Sequence, residues 1–126
     1  MTPRRAPTWR RRRADAADTA LVRMLAAAMT AEDRQRIRAL LTSDVGLVAD
    51  GGPTGVGGEL IGPDAVSAEL LGYPSELAVL RINGMPGLVA RSHGQVTAVV
   101  CAQTRRGRIA LLWSVRDPQK LRHWNR

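Results

Sequence analysis

Arg108-Ile109-Ala110-Leu111-Leu112-Trp113-Ser114-Val115-Arg116-Asp117-Pro118-Gln119-Lys120-Leu121 is the stretch whose reading decides the fold. From Ile109 to Val115 it is apolar but for one serine, ends β-branched and holds no Gly or Pro, which is the pattern of a central strand. Leu111, Trp113 and Val115 share one parity along it. The run then stops. Asp117 suits a helix N-cap, and Pro118 suits the first helical position, where its missing N–H would have no partner anyway. Leu121 and Trp124, three apart, are expected to fold a short terminal helix back onto the body.

Working backward, the same strand character fills the preceding residues. Leu77 to Ile82 is followed by Asn83-Gly84, the strongest short-range hairpin signal. Gly87 to Ser92 pairs back, His93-Gly94 turns again, Gln95 to Gln103 forms a long β-branched strand, and Arg105-Arg106-Gly107 leads into the tail strand. Four strands joined by such short turns predict an antiparallel meander. Ahead of them the spacing changes. Leu21, Val22, Leu25, Ala28 and Met29 recur on one helical face from Asp15 onward. Thr30 with Asp33 reads as a capping box with a shorter acid, opening a second helix that buries Ile37, Leu40 and Leu41. Val45 to Ala49 reads as a strand, and Gly62-Pro63-Asp64 opens a third helix that stops at Gly72. Helix, helix, strand, helix and meander make an α+β plan with a curved, mainly antiparallel sheet.

The chain has 126 residues, the size of one domain. It contains no Phe and one Tyr, so its core is expected to be aliphatic. The formal charge of +8 is unevenly placed: Arg4, Arg5, Arg10, Arg11, Arg12 and Arg13 supply six charges before residue 14, leaving thirteen Lys/Arg against eleven acids. A nearly neutral body argues against a nucleic-acid-binding face. Residues 1–14 are expected to be a disordered basic arm, open to contact with phosphate, and residues 15–126 a single domain. No apolar run approaches the ~20 residues of a membrane span. The lone Cys101 allows no intrachain disulfide and sits where buried filler is expected. Cytoplasmic residence is the expectation.

The chemistry-bearing residues are few. His93, His123, Cys101 and the acids show no metal-ligand spacing, and both histidines are expected at the surface. Five glycines between Gly51 and Gly58 lack the Lys-Ser or Lys-Thr of a phosphate loop, so a hairpin or Ω-type loop is expected. Asp50 ends an apolar strand just before that loop. It can serve as a general base facing a cavity, or its side chain can close an Asx turn on the backbone. Trp113 can line an apolar pocket or fill the core. No metal and no cofactor are expected.

Three stretches resemble one family. Leu40-Leu41-Thr42-Ser43-Asp44-Val45, with Val48-Ala49-Asp50-Gly51-Gly52, resembles the LLADDVVLVSDGGG stretch of SnoaL-like domains, members of the NTF2-like cone fold. Ile82-Asn83-Gly84-Met85-Pro86-Gly87-Leu88-Val89 is similar to their vNGqPGLvv hairpin, and Val115-Arg116-Asp117-Pro118-Gln119-Lys120-Leu121 to their VRNPDKL end. In particular the chain looks like the version fused to the C-terminus of certain extracytoplasmic-function sigma factors. The resemblance implies a cone whose curved sheet wraps a cavity closed by helices, often dimeric through the outer sheet. It implies a regulatory role for Asp50, Gly51, Gly52, Asp117 and Lys120. The chain departs from the pattern at Pro53, Asp117 and Gln119, and at this length no helical domains of a sigma factor are expected within it. The expected function is therefore a stand-alone, non-catalytic module that binds a small apolar molecule or a protein. The alternative is a small cyclase, isomerase or hydrolase acting on a polyketide- or steroid-like substrate, with Asp50 as base.

Overall fold

The computed structural model describes residues 8–52 and 57–125, with side chains from residue 16 onward. The elements in order are α1 (Thr8–Thr30), α2 (Arg34–Ala39), β1 (Leu41–Asp50), β2 (Gly58–Ile61), α3 (Pro63–Leu71), β3 (Glu76–Ile82), β4 (Met85–Ser92), β5 (Gln95–Arg105) and β6 (Arg108–Val115), followed by a 3₁₀ turn, Arg122–Asn125. The strands form one six-stranded sheet in the order β2-β1-β6-β5-β4-β3. Every neighbouring pair is antiparallel except β1 and β6.

The meander follows from its turns. Asn83, His93 and Arg106 each have φ near +50°, and each is followed by a glycine near +77°. Two successive positive-φ residues are the backbone of the two-residue hairpin turn, whose twist matches that of the strands it joins. Register shifts between Leu41 and Gly46, at Ala90/Arg91 and at Gln103/Thr104 interrupt the pairing. Such bulges bend a sheet and sharpen its twist, and here they curl it around the helices.

The inner face of the sheet carries Val45, Leu47, Leu88, Val100, Ile109 and Leu112, packed against Leu21, Val22, Leu25 and Met29 of α1, Ile37 of α2, and Val66 and Leu70 of α3. Each of these aliphatic side chains taken out of water contributes on the order of 2 kcal/mol. A second cluster lies on the outer face. Ile82, Val89, Val96 and Val99 are covered by Leu121, with Cys101, Val115 and Trp124 packed at its edge. The tail therefore passes from the end of β6 to the back of the sheet and docks there.

Three expectations need correcting. α1 begins at Thr8 rather than Asp15, so the backbone of Arg10–Arg13 is helical rather than irregular. Arginine is a good helix former, and no Gly or Pro interrupts the run after Pro7; residues 1–7 of the expected arm lie outside the described residues. The cap of α2 is Asp33, whose side chain accepts from the Arg36 N–H, and Thr30 closes α1 instead. The strand expected over Val45 to Ala49 extends to Leu41 and Asp50 because β6 pairs along its length. The expected terminal helical turn is present: Asp117 caps it by accepting from the Gln119 N–H, and the 3₁₀ turn Arg122–Asn125 follows. Among the described residues, no helix is long and apolar enough to cross a membrane.

Candidate functional site

β1 and β6 run parallel and end side by side, with Asp50 opposite Val115. The chain after each strand is thus delivered to the same corner. There the Asp50 carbonyl accepts from the N–H groups of Arg116 at 2.7 Å and Asp117 at 3.1 Å. The Asp50 carboxylate accepts from the Gly52 N–H at 3.1 Å and pairs with the Lys120 ammonium. Asp117 is buried, and its carboxylate lies so close to Gly52 that a Cβ there would approach its carboxyl carbon to 2.6 Å. Gly52 also has φ of +80°, a conformation in which only glycine is unstrained.

Asp50, Gly51, Gly52, Asp117 and Lys120 therefore form one clasp between the ends of β1 and β6. The Lys120 bond, then the Gly52 N–H, hold the Asp50 carboxyl below its ordinary value. The bond to Asp50 raises Lys120 in turn. Asp50 makes the Asx-type bond expected as its structural alternative. Its parity is that of Val48, on the outer side of the sheet, while Ala49 packs inward. Trp113 is not part of the clasp. It stands on the outer face between Val48 and Cys101, 37% exposed, and fills no part of the main core. Cys101 beside it is half-buried, which pushes its thiol up. His93 and His123 are exposed. Among the described residues no group of acids, histidines and cysteine is placed to hold a metal ion.

A second constellation opens on the concave side. Arg116 follows the outward-facing Val115, so its side chain turns inward. Its guanidinium bonds the Glu69 carboxylate of α3 and lies over the Tyr73 ring, 4.5 Å from the centroid. The Tyr73 hydroxyl is hydrogen-bonded to the buried Ser114 hydroxyl on β6. Burial would pull the Arg116 guanidinium down, but the Tyr73 and Glu69 bonds outweigh it and leave it raised. The Glu69–Arg116 pair borders two cavities. One, of about 420 Å³, is lined by Ala68, Glu69, Gly72, Tyr73, Pro74, Ser92, Thr97, Ala98 and Arg116. The other, of about 190 Å³, lies towards Leu47, Ala49 and Leu60. Asp50 and Trp113 line neither. Sequence reasoning passed over Glu69, Ser114 and Arg116. The signal available was the chain's single tyrosine, just past the end of α3.

A sheet curled over helices, with a cavity on its concave side, is shared with known structures. The extracytoplasmic function sigma factor SigJ of Mycobacterium tuberculosis superposes with a TM-score of 0.67 at 23% identity, over 88% of this chain. This chain spans 46%, about half, of that protein's length. An NTF-2 like protein from Burkholderia xenovorans matches with a TM-score of 0.60 at 16% identity, over 79% of this chain and 81% of its own. The chain has the NTF2-like fold. An LEH-like epoxide hydrolase from M. tuberculosis shares that NTF2-like architecture, with a TM-score of 0.59 at 15% identity over 86% of this chain and 89% of its own. No protein-family model matches the sequence, and no curated protein does.

Proposed function

We propose that this NTF2-like domain is a non-catalytic regulatory module that takes a small molecule into its concave cavity. One observation carries the reading. Asp50, the acid best placed in sequence to act as a base, is held as a carboxylate by Lys120 and the Gly52 N–H and faces away from both cone cavities. A base needs a raised pKa and reach to its substrate, and Asp50 has neither. The likeness to SigJ supports a regulatory setting, and the larger cavity is of the size that holds small ligands. Pairing of two copies through the outer sheet face is part of the proposal, supported by the exposed Val48, Ile61, Leu80 and Trp113 there.

The test is turnover. Polycyclic ketones, lactones and epoxides are incubated with the protein and with Asp50→Asn, and product is followed by chromatography. No product from either is expected. A rate in the wild type that vanishes in Asp50→Asn would overturn the proposal in favour of an enzyme.

A further inference from the structure

Resting on the reading of the cone as a ligand site, we infer that the cavity selects an amphiphilic carboxylate, whose head group replaces Glu69 on Arg116 while its apolar body lies along the cavity wall. Three features converge on this. Arg116 is the cation bordering both cavities, and a guanidinium carries five N–H donors, more than one carboxylate and one phenol can use. Its fork matches a carboxylate bidentately, and Tyr73 beneath it holds the plane in place. The partner it now has is itself a carboxylate, about one-third exposed and so open to solvent. Glu69 thus occupies the position that the head group of an anionic ligand would take.

The surroundings suit the rest of such a molecule. Ala68, Gly72, Pro74 and Ala98 give the larger cavity a small-residue apolar wall. Ser114, buried and bonded to Tyr73, fixes the phenol from behind, so the ring cannot rotate away when Glu69 leaves. A neutral ligand would gain the wall and not the guanidinium. A cationic one would meet Arg116.

The probes are octanoate, octanol and octylamine, titrated calorimetrically into the full chain and into Glu69→Gln, Arg116→Gln and Arg116→Lys, each checked for a cooperative unfolding transition. Octanoate is expected to bind at least about tenfold more tightly than octanol, and octylamine least. Glu69→Gln, which removes the competitor, should tighten octanoate several-fold and leave octanol unchanged. Arg116→Gln should abolish the preference for octanoate, and Arg116→Lys should restore only part of it. Equal binding of octanoate and octanol would overturn the inference and leave the cavity reading standing. Binding of no probe would overturn the inference alone; the small-molecule reading falls only if the polycyclic ketones, lactones and epoxides fail to bind as well. Octanoate affinity unmoved by Glu69→Gln and by Arg116→Gln would place the anion elsewhere and overturn the inference alone.

Discussion

The Arg116 N–H donates to the Asp50 carbonyl at 2.7 Å, so the residue that faces the cone is hung from the residue that organises the outer clasp. One peptide separates two environments. On one side the carboxylate of Asp50 meets Lys120; on the other the guanidinium of Arg116 meets Glu69 and Tyr73. A ligand that moves Arg116 acts on the same hydrogen bond that holds the ends of β1 and β6 together. In the proposed function, this hydrogen bond is the short physical route from cavity to surface.

Gly52 admits no side chain. Gly52→Ala combines a left-handed backbone with a clash against the Asp117 carboxyl, and it should cost about 2 kcal/mol or more. Urea unfolding measures it, and an unchanged midpoint would show that the clasp is not formed in solution.

The Asp50–Lys120 pair should leave a signature in pH. The Asp50 carboxyl lies below its ordinary 3.8, so the stability it contributes is present above that value and is lost as pH falls through its lower folded value. Lys120 lies above 10.5, so its share is present below that value and is lost as pH rises through its higher folded value. The difference in urea midpoint between wild type and Asp50→Asn should therefore be flat through neutrality and shrink at both extremes. Because both side chains are substantially exposed, added salt should also reduce it.

Leu121 fastens the tail to the outer cluster. Leu121→Ala should cost about 2 kcal/mol, the low end for such a truncation because the tail can undock without unfolding the rest. The Asn125 side chain, which accepts from the Val96 N–H at 2.7 Å, should release with it. Faster hydrogen exchange at the Val96 amide would report that release.

Trp113 should matter for association and little for folding. Trp113→Lys is expected to change stability by about 1 kcal/mol or less, since the lysine stem can still cover part of the sheet. Sedimentation should then show dimers for the wild type and monomers for the variant. Monomers from both proteins would contradict pairing through this face.

The fold was legible where local chemistry decides it. Asn83-Gly84, His93-Gly94 and Arg106-Gly107 are hairpin turns because a positive φ followed by glycine is a property of a few adjacent residues. Pro63 and Gly72 bound α3 for the same kind of reason. The parallel pairing of β1 with β6 was not legible, since it joins residues more than sixty positions apart, such as Asp50 and Val115, and leaves no local mark. With it went the knowledge that Asp50-Gly51-Gly52 and Asp117-Pro118-Gln119-Lys120 are neighbours. The parity of Leu111, Trp113 and Val115 was correct, but alternation does not say which face is covered by helices. Arg116, Glu69 and Tyr73 were hidden because they come from the residue after β6, from α3 and from the loop after α3, and each alone reads as surface.

The most direct test of the central claim is the thermal unfolding midpoint of the purified protein, titrated with polycyclic ketones, lactones and epoxides alongside octanoate. A ligand at a hundredfold excess over its dissociation constant adds roughly 2.7 kcal/mol when it binds only the native state. The expected result is a saturable rise of several degrees for at least one of these compounds, with the compound recovered unchanged. No rise for any of them, or a rise accompanied by conversion to product, would contradict the claim.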